Sequence, residues 1–120
     1  MPAIRPLVYD VGMNNGDDVE YYLAKGLRVI GIEANEDLCR LCTARFANDI
    51  SSGNFKVIHC AVGVAEGEAN FFVNNREHVR STLVPQDTED GIWSCVPIQV
   101  RKLSSIIRQN GEPFYVKIDV

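Results

Sequence analysis

Apolar and polar residues repeat along the first half of the chain with two alternating periods. Leu7 to Val11 is a short apolar run that ends in a glycine-bearing segment, Gly12 to Gly16. From Asp17 to Lys25, the apolar residues Val19, Tyr22 and Leu23 recur at the i, i+3, i+4 spacing of a buried helix face. Gly26 then supplies a stop, because glycine enters the left-handed region without a Cβ clash. Arg28 to Glu33 (RVIGIE) is apolar and β-branched and predicts a second strand. Asn35 predicts an N-cap, with Glu36 and Asp37 in a first turn that the helix dipole favours. Leu38, Leu41, Cys42, Phe46 and Ile50 mark the buried face of the helix that follows, and Phe55 to Cys60 (FKVIHC) predicts a third strand. Strand, helix, strand, helix, strand is the order of parallel β-α-β units with right-handed crossovers.

The second half is less regular. Ala69 to Val73 and Val96 to Val100 predict two strands of an added hairpin, separated by a polar connection from Asn74 to Ser94. A connection of that length without its own elements is usually functional, mobile or both. Leu103, Ile106 and Ile107 predict a short helix ended by Asn110 and Gly111, and Phe114 to Val120 (FYVKIDV) predicts a last strand. The expected fold is α/β and Rossmann-like, a single domain over residues 1–120. Its parallel core strands are expected in the order 3-2-1-4, with Phe114 to Val120 as the fourth.

Composition narrows the function classes. With 46% apolar and 23% charged residues, the chain has the balance of an ordinary soluble domain. A net charge of −4 argues against a nucleic-acid backbone or an anionic membrane as partner. No apolar run approaches the roughly 18–20 residues that span a bilayer, and the N-terminus lacks a signal-peptide pattern, so the expected compartment is the cytoplasm. Cys39 and Cys42 form a C-x-x-C, but inside an amphipathic helix and without a second pair that would complete a zinc site. Free thiols are expected, with Cys42 on the core face, and no metal.

The candidate chemistry lies in Tyr9 to Asp18, YDVGMNNGDD, a glycine-rich turn between a strand and a helix. In an open parallel sheet, ligands bind at the carboxyl ends of the strands, where such a turn sits. Gly12 permits the tight turn, and Gly16 is expected to let the chain pass close to a ligand. Glu33 follows Gly12 by 21 positions, near the separation at which such folds place a ribose-binding carboxylate. The place of the middle glycine of a dinucleotide fingerprint holds Asn14, and the helix opens with Asp17 and Asp18, which repel a pyrophosphate. Asp10, Asp17, Glu33 and Asp119 would instead favour a cationic nucleoside, S-adenosyl-L-methionine.

The blocks YDVGMNNGDD, GIEANEDLC, HCAVG and YVKIDV, in that order, resemble the successive blocks of FkbM-type methyltransferases. The resemblance implies a Rossmann-like methyltransferase fold and O-methylation of a hydroxyl on a sugar or small metabolite. It implies that Asp10, Gly12, Asn14 and Gly16 surround the methionine part of S-adenosyl-L-methionine and that Glu33 holds the ribose. Ala34, Asn35, Cys60 and Ala61 would border the adenine, and Asp119 would lie near the transferred methyl as the catalytic candidate. The family pattern continues past the last strand with a Glu-Gly pair and further elements, so the chain is expected to be the N-terminal, cofactor-binding part. Met13 and Asn15 stand where the family often has smaller or apolar residues.

Other readings stay open on sequence alone. One is a non-catalytic S-adenosylmethionine-binding module; another, disfavoured by Asn14 and the acidic helix start, is a nicotinamide-dependent oxidoreductase. Asp119 is equally suited to a general base, a cofactor contact or a strand-end hydrogen bond. His78 is a candidate for a substrate opening or a solvated loop residue, while His59 is expected to be structural beside the sheet core. Trp93 either closes over a ligand or packs. The last strand forms an open apolar edge, so a homodimer is expected through the surface near residues 114–120.

Overall fold

In the computed structural model of the chain, residues 5–77 and 81–119 are described. His78, Arg80 and Val120 lie outside them. The elements follow in the order β1 (Leu7–Val11), α1 (Asp17–Ala24), β2 (Arg28–Glu33), α2 (Glu36–Arg45), α3 (Ala47–Ser51) and β3 (Phe55–His59). They continue with β4 (Ala61–Val62), β5 (Gly67–Asn74), β6 (Trp93–Arg101), α4 (Leu103–Asn110) and β7 (Tyr115–Ile118). Four strands form a parallel sheet in the order β3-β2-β1-β7, which is the expected 3-2-1-4 arrangement.

Alternation along the strands explains how both faces are covered. Tyr9 and Val11 of β1 join Ile30 and Ile32 of β2 against Ile106 of α4 on one face. Val8 and Val29 point the other way, against Val19 of α1, Cys42 of α2 and Phe46. Fully buried Tyr9 satisfies its hydroxyl by donating to the carbonyl of Gly111, which ties the end of α4 to the central strand. Gly31 in β2 leaves room for Met13, whose Sδ would lie 2.2 Å from a Cβ at that position. The unexpected methionine of the turn is therefore a core residue that plugs the sheet where a side chain is missing.

The second helix departs from its expected face. Leu41 is 45% exposed, and Cys39 is buried in its stead. At helical spacing Cys39, Cys42 and Phe46 share one face and Leu41 falls to its side. The helix also breaks at Phe46, which has φ −113° and ψ 32°, and a separate α3 follows. Phe46 and Ile50 still pack with Cys39 and Cys42 in one core cluster, and the buried residues of α2 itself are Leu38, Cys39 and Cys42. Asn35 caps it as expected, its Oδ1 accepting from the backbone N–H groups of Asp37 and Leu38 at 2.9 and 3.2 Å.

The expected hairpin strands are longer than their apolar cores and pair antiparallel from Gly67↔Val100 to Asn74↔Trp93. Trp93 therefore opens a strand. A short β4, not expected from its two residues, adds parallel to β6 and completes a second, three-stranded sheet. The connection between β5 and β6 is tied at its base by Asn75, whose side-chain amide donates to the Gly91 carbonyl at 2.8 Å. Farther along it, Thr82 exchanges two backbone hydrogen bonds with Phe72. Among the described residues, no helix is long and apolar enough to cross a membrane.

Strand β7 is shorter than the expected Phe114–Val120 and lies at one edge of the parallel sheet. Phe114 (73%), Tyr115 (50%) and Ile118 (60%) are all exposed there, so the alternation of the last strand does not bury a continuous apolar face. Unpaired backbone groups beside exposed apolar side chains favour association along an edge. Light scattering at micromolar concentration is expected to read a dimer, and Ile118→Lys to shift it toward monomer with stability changed by at most about 0.5 kcal/mol. A wild-type monomer at all concentrations would count against edge pairing.

Candidate ligand-binding site

At the carboxyl ends of β1, β2 and β7 the parallel sheet opens into a cleft of about 720 Å³. Val11, Gly12 and Asn14 line it from the first strand and its turn, and Ile32, Glu33, Ala34 and Leu38 from the second strand and helix. Cys60, Ala61, Val62 and Phe71 belong to the start and wall of the second sheet, Ser81 to Leu83 to the long connection, and Asp119 to the end of β7. Glu33 and Asp119 are the only charged side chains among these described lining residues.

Glu33 organises the cleft. Its Oε1 accepts from the Asn14 N–H and its Oε2 from the Asn35 N–H, each at 2.9 Å. One carboxylate thus joins the glycine-rich turn to the loop that caps α2. Each oxygen has two lone-pair sites, so acceptor capacity remains toward the cleft.

The turn itself is closed. Gly12 and Met13 donate their N–H groups to the Ile32 carbonyl, and Gly16 donates to the Met13 carbonyl. Asn14 donates to Glu33, Asn15 to the side chain of Asn14, and Asp17 to the side chain of Asn15. Every backbone donor from residue 12 to 17 therefore has an acceptor within the protein. Asn14 adopts the left-handed region at φ 55°, uncommon outside glycine but tolerated by asparagine.

Of the residues expected at the site, Gly12, Asn14, Glu33, Ala34, Cys60, Ala61 and Asp119 line the cleft, whereas Asp10, Gly16 and Asn35 do not. Gly16 has another reason to be glycine. Its φ is +89°, and a Cβ would meet Phe46 Cε2 at 2.6 Å, so the position is dictated by close packing on the α2–α3 junction. Asn35 is buried as the helix cap. Asp119 donates its backbone N–H to Val11 at 2.9 Å, while its side chain, 75% exposed, lies 4.0 Å from Lys117 Nζ. The wall of the second sheet and the Ser81–Leu83 segment had no signal in spacing or composition; they reach the cleft through the Phe72–Thr82 pairing. His59 is exposed, not beside the core, and its Nε2 lies 2.9 Å from the Ala34 carbonyl oxygen.

The cysteines are free, as expected, and Cys42 is wholly buried. Burial pushes the Cys39 thiol up to about 12 and the Cys42 thiol up to about 11. Neither is a nucleophile at neutral pH, because the reactive form is the thiolate. Cys39 Sγ donates to the Glu33 carbonyl and Cys42 Sγ to the Asn14 carbonyl, so both brace the loops behind the cleft.

Asp10 is the anomaly. It is 0% exposed, and neither carboxylate oxygen has a hydrogen-bond partner among the described residues. By strand alternation it shares the α1 face with Val8, and its register partners are Gly31 and Lys117. Lys117 pairs instead with Asp18 and Asp119. Burial raises the Asp10 carboxyl above its ordinary range; the Lys117 cation lowers it less, and Asp119 and Glu33 raise it further.

The sign of the consequence follows from linkage. A carboxyl raised in the folded state contributes stability that is complete below its unfolded value near 4 and is lost as pH climbs through the folded value. Asp10→Asn keeps the shape and removes the charge. Its melting temperature is expected to match wild type near pH 4 and to exceed it increasingly toward neutral pH, by about 4 °C for each kcal/mol. A pH-independent difference between the two would show that Asp10 does not carry the raised carboxyl.

Comparison of the chain with protein-family models, with curated proteins and with solved structures finds no match in any of the three.

Proposed function

We propose that the chain is the cofactor-binding part of an S-adenosyl-L-methionine-dependent methyltransferase whose acceptor is a hydroxyl on a sugar or small metabolite. The observation that carries this reading is the hydrogen bonding of the glycine-rich turn. A dinucleotide's pyrophosphate needs free backbone donors at such a turn and the positive end of a helix. Here the donors of residues 12 to 17 are already engaged, and α1 opens with Asp17, Asp18 and Glu20. The nucleoside that suits the cleft has no phosphate and carries positive charge, which Glu33 and Asp119 attract.

The residues fit the group in size and in donor set. The cleft falls within the roughly 300–1,000 Å³ of small-molecule sites. Glu33 would accept from the ribose hydroxyls with its remaining lone pairs, and Gly12 and Asn14 would border the amino-acid part. Ala34, Leu38, Cys60 and Ala61 supply a mostly apolar surface suited to a purine. When bound, S-adenosyl-L-methionine supplies a methyl group on a sulfonium, so the chain's own contribution is to orient donor and acceptor. Asp119, exposed at the strand end, would take a proton from an acceptor hydroxyl. The fold and the resemblance of the four sequence blocks to FkbM-type enzymes support the same reading.

Two outcomes are expected. In calorimetry, S-adenosylhomocysteine binds and NAD does not, and Glu33→Ala weakens binding by about tenfold or more, since charged hydrogen bonds contribute roughly 1.5–3 kcal/mol each. Wild-type affinity in Glu33→Ala would remove the ribose assignment, and preference for NAD would remove the methyl donor. With an accepted hydroxyl substrate, Asp119→Asn is expected to slow turnover and leave the melting temperature nearly unchanged. An unchanged rate would take Asp119 out of the reaction.

A further inference from the structure

The buried carboxyl of Asp10 has no role in the reading above, because it does not line the cleft. Its surroundings nevertheless tie it to whatever the cleft holds. Asp10 stands directly before Val11 and Gly12, which are on the cleft wall. The charged groups that act on it are Lys117 of β7, Asp119 directly after that strand and Glu33 of β2. Asp10 in turn raises Tyr22 of α1 and Cys42 of α2, which pack on its side of the sheet. Of these only Lys117 carries positive charge, and it is engaged with Asp18 and Asp119. Glu33 and Asp119, the two carboxylates that favour a proton on Asp10, are the same two that face the cleft.

We propose that a cationic ligand entering the cleft displaces the proton of Asp10, so that its affinity is linked to pH through a residue outside the cleft lining. This rests on the proposed function for the identity of the ligand. The step is a simple dissociation: the O–H bond of the Asp10 carboxyl breaks, its electron pair stays on the carboxylate, and the proton passes to solvent buffer. A cation between Glu33 and Asp119 offsets their field at Asp10 and frees Lys117 from part of its attraction to Asp119. Both effects favour the ionised carboxylate. In the absence of ligand the same carboxylate is buried and, among the described residues, unpaired, which favours the protonated form.

The test is calorimetric titration of S-adenosylmethionine into the full chain at one pH in buffers of different ionisation enthalpy, repeated from pH 4 to pH 8. The expected result is an observed heat that varies with the buffer and corresponds to release of a fraction of a proton, approaching one. Affinity should climb by up to about tenfold per pH unit across the titration of Asp10 and level off above it. S-adenosylhomocysteine lacks the sulfonium charge and should release less. Asp10→Asn, checked for folding by its melt, should bind with buffer-independent heat. Saturable wild-type binding with buffer-independent heat and pH-independent affinity would overturn the inference alone. Equal proton release in Asp10→Asn would overturn it too, by assigning the proton elsewhere. No binding at any pH would instead sink the proposed function and this inference with it.

Discussion

The carboxylate of Glu33 accepts one hydrogen bond from the turn after β1 and another from the loop after β2, and the shape of the cleft depends on that pair. Without it, Asn14 would have no reason to hold a left-handed conformation, and the Asn35 cap would lose its tie to the sheet. The interaction is charge-assisted on both sides, and such bonds are stronger than neutral ones. It also explains a division of labour: the backbone donors of the turn are satisfied by the protein, and the cleft presents carboxylates and apolar surface.

That division sets the electrostatic character of the whole end of the sheet. Asp10, Glu33 and Asp119 gather around the ends of the central strands, with Lys117 as the one cation that acts on Asp10 among the described residues. A buried carboxyl without partners is destabilising unless it is protonated or answered by a positive group. Carboxyls perturbed in this way are concentrated at functional sites. The unsatisfied Asp10 and the acidic cleft are thus two aspects of one charge distribution.

Packing behind the site is equally constrained. Gly31 and Met13 interlock on the sheet, and Gly16 abuts Phe46, so the glycine-rich turn is held from below by side-chain contacts. Cys39 and Cys42 add thiol donors to loop carbonyls. Interiors packed this closely fix a turn in one conformation, which is what a preorganised site needs.

Much of the parallel sheet was legible in the residues themselves. The apolar runs of β1, β2 and β3, the capping of α2 by Asn35 and the left-handed stop at Gly26 are local properties, set by side-chain period and backbone sterics. So was the gathering of the Gly12 turn and Glu33 at one end of the sheet, because two consecutive β-α units bring the ends of their strands together. The break at Phe46 and the exposure of Leu41 were not legible, since a stripe of apolar residues does not say where a helix bends or which of its margins meets the core. Nor was the reason for Gly16, which lies in a phenylalanine thirty positions away. The cleft wall from Phe71 and Ser81 to Leu83 and the isolation of Asp10 depend on which distant chain segments come to rest beside them. Local pattern determined the elements and their order; only long-range packing decided which polar groups found partners, which did not, and what the cleft could hold.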